Sequence, residues 1–126
     1  MCIRDRQKEA FELEIVNTLI HYDVELVVMA GWMKIVTPFF INKFKNKIIN
    51  IHPSLLPAYK GGSAIKDSIS NGAKITGCSV HFVEEEVDSG SLIMQAALSI
   101  RNDDDIESLS KRIQMLEHII LSLIHI

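Results

Sequence analysis

Apolar residues recur at helical spacing from Gln7 to Tyr22, where Phe11, Ile15 and Leu19, joined by Val16 and Ile20, form one stripe while Lys8, Glu9, Glu12 and Glu14 take the other positions. The spacing predicts an amphipathic helix. Beyond Tyr22-Asp23 the run Leu26-Val27-Val28-Met29-Ala30 is apolar at every position and stops at Gly31, which predicts a parallel strand buried on both faces. Such a strand needs a neighbour on each side; left uncovered, it invites pairing with another chain. Thr37 before Pro38 then opens a short helix to about Phe44, because threonine can cap and proline suits the first helical position. Lys47 to Ile51 reads as a second strand that ends at His52-Pro53.

The stretch from Pro53 to Gly62 holds Pro53, Pro57, Gly61 and Gly62 and is a loop. Ser63 caps a predicted helix to about Ser70, which Asn71-Gly72 closes with a pair able to adopt the left-handed conformation. Ile75, Ser79 to Val83, and Leu92 to Ile100 read as strands, the last two joined by the acidic turn Glu84 to Gly90. Asp103 to Asp105 opens a final helix, where negative charge complements the positive end of the macrodipole. Helices alternating with strands predict an α/β fold, a mostly parallel sheet with helices on both faces.

Composition narrows the function. A chain of 126 residues that is 48% hydrophobic supports one core and one domain. Its net charge of -3, with 13 basic and 16 acidic residues and no basic run, argues against a nucleic-acid partner. The apolar runs are broken by Lys, Asn or Gly, well short of the roughly 20 residues that span a bilayer, so no membrane partner is expected. Cys2 and Cys78 make no disulfide framework and have no partner at metal-site spacing, and no secretory signal is visible. A cytoplasmic protein with no metal is the expectation.

Asn50 and His52 sit two apart at a strand end and therefore share a face. They project where sites form in open α/β sheets. Asp88 lies in a second strand-end turn, Val87-Asp88-Ser89-Gly90, whose small residues allow close approach of backbone and ligand. An imidazole that shuttles a proton, a carboxylate that orients it and an amide that donates to an oxyanion together suit acyl or formyl transfer to an amine. Each residue alone has a plainer reading as strand terminus or turn former. His81 reads as a packed strand residue and Cys78 as core, while His21, His118 and His125 lack partners at useful spacing. No glycine-rich phosphate loop of the two common types is present.

Four segments in order, Ala30-Gly31-Trp32-Met33, Ile49-Asn50-Ile51-His52-Pro53-Ser54-Leu55-Leu56-Pro57, Gly77 to Val83 and Val87 to Gly90, resemble the successive signatures of phosphoribosylglycinamide formyltransferases. The resemblance covers about Gln7 to Ile120. It implies that Asn50, His52 and Asp88 are catalytic: the amine of glycinamide ribonucleotide attacks the formyl carbon of 10-formyltetrahydrofolate, Asn50 and protonated His52 stabilise the oxyanion, and Asp88 supports the histidine. It further implies folate contacts at Lys8, at Met33, Lys34, Ile35 and Val36, and over Glu84, Glu85, Glu86, Val87 and Asp88. Pro53 and the helix segment Gln114, Met115, Leu116 and Glu117 correspond to substrate contacts. Met29, Phe40, Ile41 and Ile48 correspond to the pterin pocket, and a homodimer is left open.

This chain departs from the pattern in three places. The family's first strand and glycine-rich phosphate-binding loop have no counterpart here, Ser91 replaces the usual proline, and residues 1–6 and 121–126 match nothing in the family and read as non-native ends flanking a partial catalytic domain over 7–120. Formyltetrahydrofolate hydrolases and methionyl-tRNA formyltransferases share the Asn, His and Asp. Pro53 and the run Val80-His81-Phe82-Val83 favour the glycinamide ribonucleotide enzyme, and no basic C-terminal domain is seen for a tRNA substrate. A folate-binding fragment without turnover is the reading from another class.

Overall fold

The computed structural model describes residues 3–31, 36–85 and 88–124. Helix α1 (Ile3–His21) begins earlier than the periodicity predicts. Its buried stripe also differs from the predicted one. Val16 is 1% exposed and Glu12, one turn before it, 4%, whereas Phe11 is 45% exposed. Glu12 rather than Phe11 takes the inner place, where Thr37 offers it two hydrogen-bond donors.

Strand β1 (Val27–Ala30), helix α2 (Pro38–Lys43) and strand β2 (Ile48–His52) follow as a β-α-β unit, with Val27 paired to Ile48 and Ala30 to Ile51 in parallel register. Helix α3 (Ala64–Ser70), strands β3 (Ile75–Phe82) and β4 (Leu92–Ser99) and helix α4 (Ile106–Leu123) complete the order. The four strands form one sheet in the order β1-β2-β3-β4. The α/β architecture with helices on both faces is as expected, but the sheet is mixed rather than mostly parallel: β2–β3 and β3–β4 are antiparallel. A turn as short as the one between β3 and β4 cannot return the chain for a parallel crossover, which takes a dozen or more residues. Uniformly apolar strands carry no direction signal of their own.

Period-two alternation splits β2 between two cores. Ile49 and Ile51 point to one face with Cys78 and Val80 of β3, where Leu109, Ile113 and Ile120 of α4 cover them. Ile48 points to the other face, toward Val16 of α1 and Phe40, Ile41 and Phe44 around α2. Strand β1 is an edge, so its predicted burial on both faces becomes an alternation of half-buried and exposed residues, with Val28 exposed.

Helix α4 is capped at its start and tied to the sheet. Asp105 caps it, accepting the Ser108 N–H at 2.8 Å while its own N–H donates to the Ser108 hydroxyl at 3.0 Å. Arg112 one turn further on bonds Asp104 and donates to the Ser99 carbonyl of β4 at 2.8 Å, which ties the helix to the sheet. Neither the Thr37 nor the Ser63 hydroxyl caps its own helix, contrary to the capping expected of both. Among the described residues no helix is long and apolar enough to cross a membrane.

Two measurements test this account. Leu109 is fully buried between α4 and the sheet, so Leu109→Ala should cost about 2–5 kcal/mol in urea denaturation through lost transfer energy and a residual cavity. The backbone N–H of Arg101, aided by Ser108 and Arg112, holds the Asp104 carboxyl below its ordinary range, and the Ser108 N–H and hydroxyl do the same for Asp105. Both carboxyls bind protons more weakly folded than unfolded, so their contribution is complete above about pH 4 and is lost as the pH falls through their folded values. Thermal midpoints followed by circular dichroism should fall on acidification below pH 4, with a shallower fall in Asp105→Asn.

Candidate active site

The antiparallel register of β2 and β3 sets Asn50 opposite His81 and His52 opposite Ser79. Directly opposed residues share a face, so four polar side chains line up on the α1–α2 side of the sheet where apolar residues would otherwise pack. His52 is buried, and its Nε2 lies 2.8 Å from the Tyr59 carbonyl. A carbonyl only accepts, so Nε2 carries a hydrogen there. Nδ1 faces Asp88 Oδ2 at 3.5 Å.

Asp88 is where the predicted turn delivers it. Its side chain is 9% exposed; Oδ2 accepts the Gly61 N–H at 2.9 Å, and Oδ1 lies 3.6 Å from His81 Nε2. The predicted trio of Asn50, His52 and Asp88 is therefore brought together, and His81, which the sequence reading left as packing, joins it. His81 Nδ1 donates to the Phe82 carbonyl at 2.9 Å, leaving Nε2 toward Asn50 Nδ2 at 3.5 Å and the Asp88 carboxylate. A signal for it existed: Ser79 and His81 are polar at i and i+2 in an apolar run, the same spacing as Asn50 and His52.

The 53–62 loop closes over this stripe and is bonded to it. Ser79 Oγ donates to the Ser54 carbonyl at 2.7 Å and accepts from Leu56 N–H and Gln95 Nε2, each at 3.0 Å, while Gln95 also donates to the Leu56 carbonyl at 2.9 Å. Tyr59 and Asp88 both have φ of 52°, a left-handed backbone that aspartate tolerates better than tyrosine. Gly90 was expected to leave room for a ligand. The room is taken by backbone instead, since a Cβ there would stand 1.7 Å from the Phe82 carbonyl oxygen.

These groups open on a cavity of about 400 Å³. Met29, Val36, Ile51, Ile65, Val83 and Ile113 supply apolar wall, Asn50, His52, His81 and Asp88 the reactive side, and Gly31, Pro53, Gly61, Gly62, Glu84, Glu85, Ser110, Gln114 and Glu117 the remainder. Of the residues singled out by sequence, Lys8 of α1, Met115 and Leu116 are not in this lining: Met115 is exposed and Leu116 packs on the α4 core. Phe40, Ile41 and Ile48 lie in the core behind the wall. Met33, Lys34, Ile35, Glu86 and Val87 lie outside the described residues.

Charge in the cavity is anionic apart from the histidines, and no lysine or arginine lines it among the described residues. Burial raises the Glu117 carboxyl above its ordinary range, with His118 pulling the other way. Burial, reinforced by Glu117, also pushes the Cys78 thiol up to about 11, partly offset by a backbone hydrogen bond from Ala96, so Cys78 stays neutral in the core. A neutral amine and a planar carbonyl compound could meet here with oxyanion donors on one side and proton acceptors on the other.

Comparison with known proteins agrees with this geometry. Residues 4–124 match the family described as formyl transferase. Trifunctional purine biosynthetic protein adenosine-3 of Chironomus tentans is 50% identical over 112 residues, which is 89% of this chain and 8% of that protein. Phosphoribosylglycinamide formyltransferase of Bacillus subtilis (strain 168) is 41% identical over 111 residues, 88% of this chain and 57% of the relative. The crystal structure of phosphoribosylglycinamide formyltransferase from Bacillus halodurans superposes with a TM-score of 0.84 at 43% identity, over 88% of this chain and 57% of that one. The chain thus spans little more than half the length of these single-activity relatives, and with the matched profile, mixed sheet and flanking helices it belongs to the formyl transferase family.

Proposed function

We propose that this chain carries the catalytic half of a phosphoribosylglycinamide formyltransferase, which moves a formyl group from 10-formyltetrahydrofolate to the amine of glycinamide ribonucleotide in cytoplasmic purine synthesis. The observation that carries the reading is the convergence of Asn50, His52 and Asp88 on one cavity whose opposite side holds Gln114 and Glu117. The apolar wall of Met29, Val36 and Val83 fits a flat heteroaromatic ring, and the carboxylates fit an amine.

In this reading the substrate amine attacks the formyl carbon. The developing oxyanion is met by the Asn50 amide and the His52 imidazolium, whose charge Asp88 balances from Nδ1. Glu117, with its carboxyl raised by burial, accepts a proton from the arriving ammonium and leaves a nucleophilic amine. The proton lost by the amine during transfer returns to the folate nitrogen as the carbon–nitrogen bond to it breaks. His52 Nε2–H now points at the Tyr59 carbonyl, an acceptor of the same kind as a formyl oxygen. Charge stabilisation comes from side chains, and the reading uses no metal ion. His81 Nε2 accepts from the Asn50 amide and so helps to orient it.

The test is a formyl-transfer assay with both substrates alongside calorimetric titration with 10-formylfolate. Binding and turnover are expected. His52→Ala should lower kcat by about 10²–10⁴-fold, the range for a positioned acid–base group, while leaving folate binding in place. Near-normal turnover in that variant would remove His52 from the mechanism, and a folded chain that binds no folate would overturn the reading.

A further inference from the structure

A buried charge on the inner face of α1 stands behind one wall of the cavity. Glu12 is 4% exposed, and both of its carboxylate oxygens go to one residue: Oε1 accepts the Thr37 backbone N–H at 2.9 Å and Oε2 the Thr37 hydroxyl. Removing a carboxylate from water is costly, and an apolar side chain of similar size would fill the place next to Val16 without that cost. Fixing Thr37 is what such a replacement could not do. Pro38 has no N–H, so the Thr37 N–H is the last backbone donor ahead of the proline, and α2 closes its first turn with Ile41 N–H on the Thr37 carbonyl at 3.1 Å. Thr37 is therefore held from α1 by its N–H and hydroxyl and from α2 by its carbonyl. Val36, directly before it, lines the catalytic cavity.

We propose that Glu12 is a positioning residue for the ligand cavity: by clamping Thr37 it sets Val36 in the wall against which the ring of formyl-folate rests. The inference builds on the folate reading above. Glu12 touches neither the substrates nor Asn50, His52 and Asp88, so its influence falls on binding rather than on the chemical step.

Glu12→Leu keeps the volume and removes the clamp; Glu12→Gln keeps an acceptor for the Thr37 N–H; Thr37→Val removes the hydroxyl from the other side and decides the matter should the leucine variant misfold. Calorimetry with 10-formylfolate should give a dissociation constant raised about 10-fold in Glu12→Leu, less in Glu12→Gln and Thr37→Val, with kcat at saturation within about twofold of wild type. Thermal stability of Glu12→Leu should be retained, so that binding and stability part company. Hydrogen exchange at the Thr37 amide, slow in wild type and fast in Glu12→Leu, reports the clamp without any ligand. Wild-type affinity in both Glu12→Leu and Thr37→Val, or loss of affinity only in step with loss of stability, would overturn the inference. No binding by the folded wild type together with a protected Thr37 amide would instead overturn the folate reading, and with it the ligand assigned to the clamp.

Discussion

The antiparallel pairing of β2 with β3 is the constraint on which both the core and the site rest. One register puts Ile51 beside Val80 on the face that α4 covers, and the same register puts Asn50 beside His81 and His52 beside Ser79 on the other face. A slip of one residue would turn every one of these side chains over, burying polar groups under α4 and carrying isoleucines to the α1–α2 face. The apolar contacts that stabilise the sheet therefore also specify where the reactive groups point. Stability and chemistry are bound to a single strand pairing.

Onto that stripe two loops are laid, each secured by backbone groups. The 53–62 loop is bonded to Ser79 and Gln95 and presents the Tyr59 carbonyl to His52 and the Gly61 N–H to Asp88. The β3–β4 turn brings Asp88 back between the two imidazoles. The left-handed backbone at Tyr59 and Asp88 costs on the order of 1–3 kcal/mol each, and the surrounding hydrogen bonds hold the residues in place. A carboxylate held from three sides is a fixed counter-charge, and it needs no reorganisation when His52 carries a proton.

The opposite wall follows the same logic with different parts. Glu12 stands at a core position on α1 and meets the start of α2, so a polar contact within a largely apolar interface fixes where the chain enters the cavity. Helix α4 is held to β4 through Arg112 and its neighbours, and thereby brings Gln114 and Glu117 to the far side. The cavity is thus framed by helices whose placement relies on a few buried polar contacts in addition to hydrophobic packing.

What the sequence determined by itself was everything decided within a few residues. The capping of α4 by Asp105, the turn at Asn71-Gly72, the β-α-β unit and the shared face of Asn50 and His52 all follow from local hydrogen bonding and from the periods of helix and strand. The signature residues and their order were legible as a resemblance to a known family. Tertiary structure alone decided the direction of β3, the inward turn of Glu12 over Phe11 and the partner that His81 meets. Glu12 meets its partner 25 residues away and Asn50 meets His81 31 residues away, and a side chain's periodicity says which way it points without saying what will stand opposite. Chain direction, partner identity and the worth of a buried charge depend on packing between distant segments, and these are properties of the folded molecule.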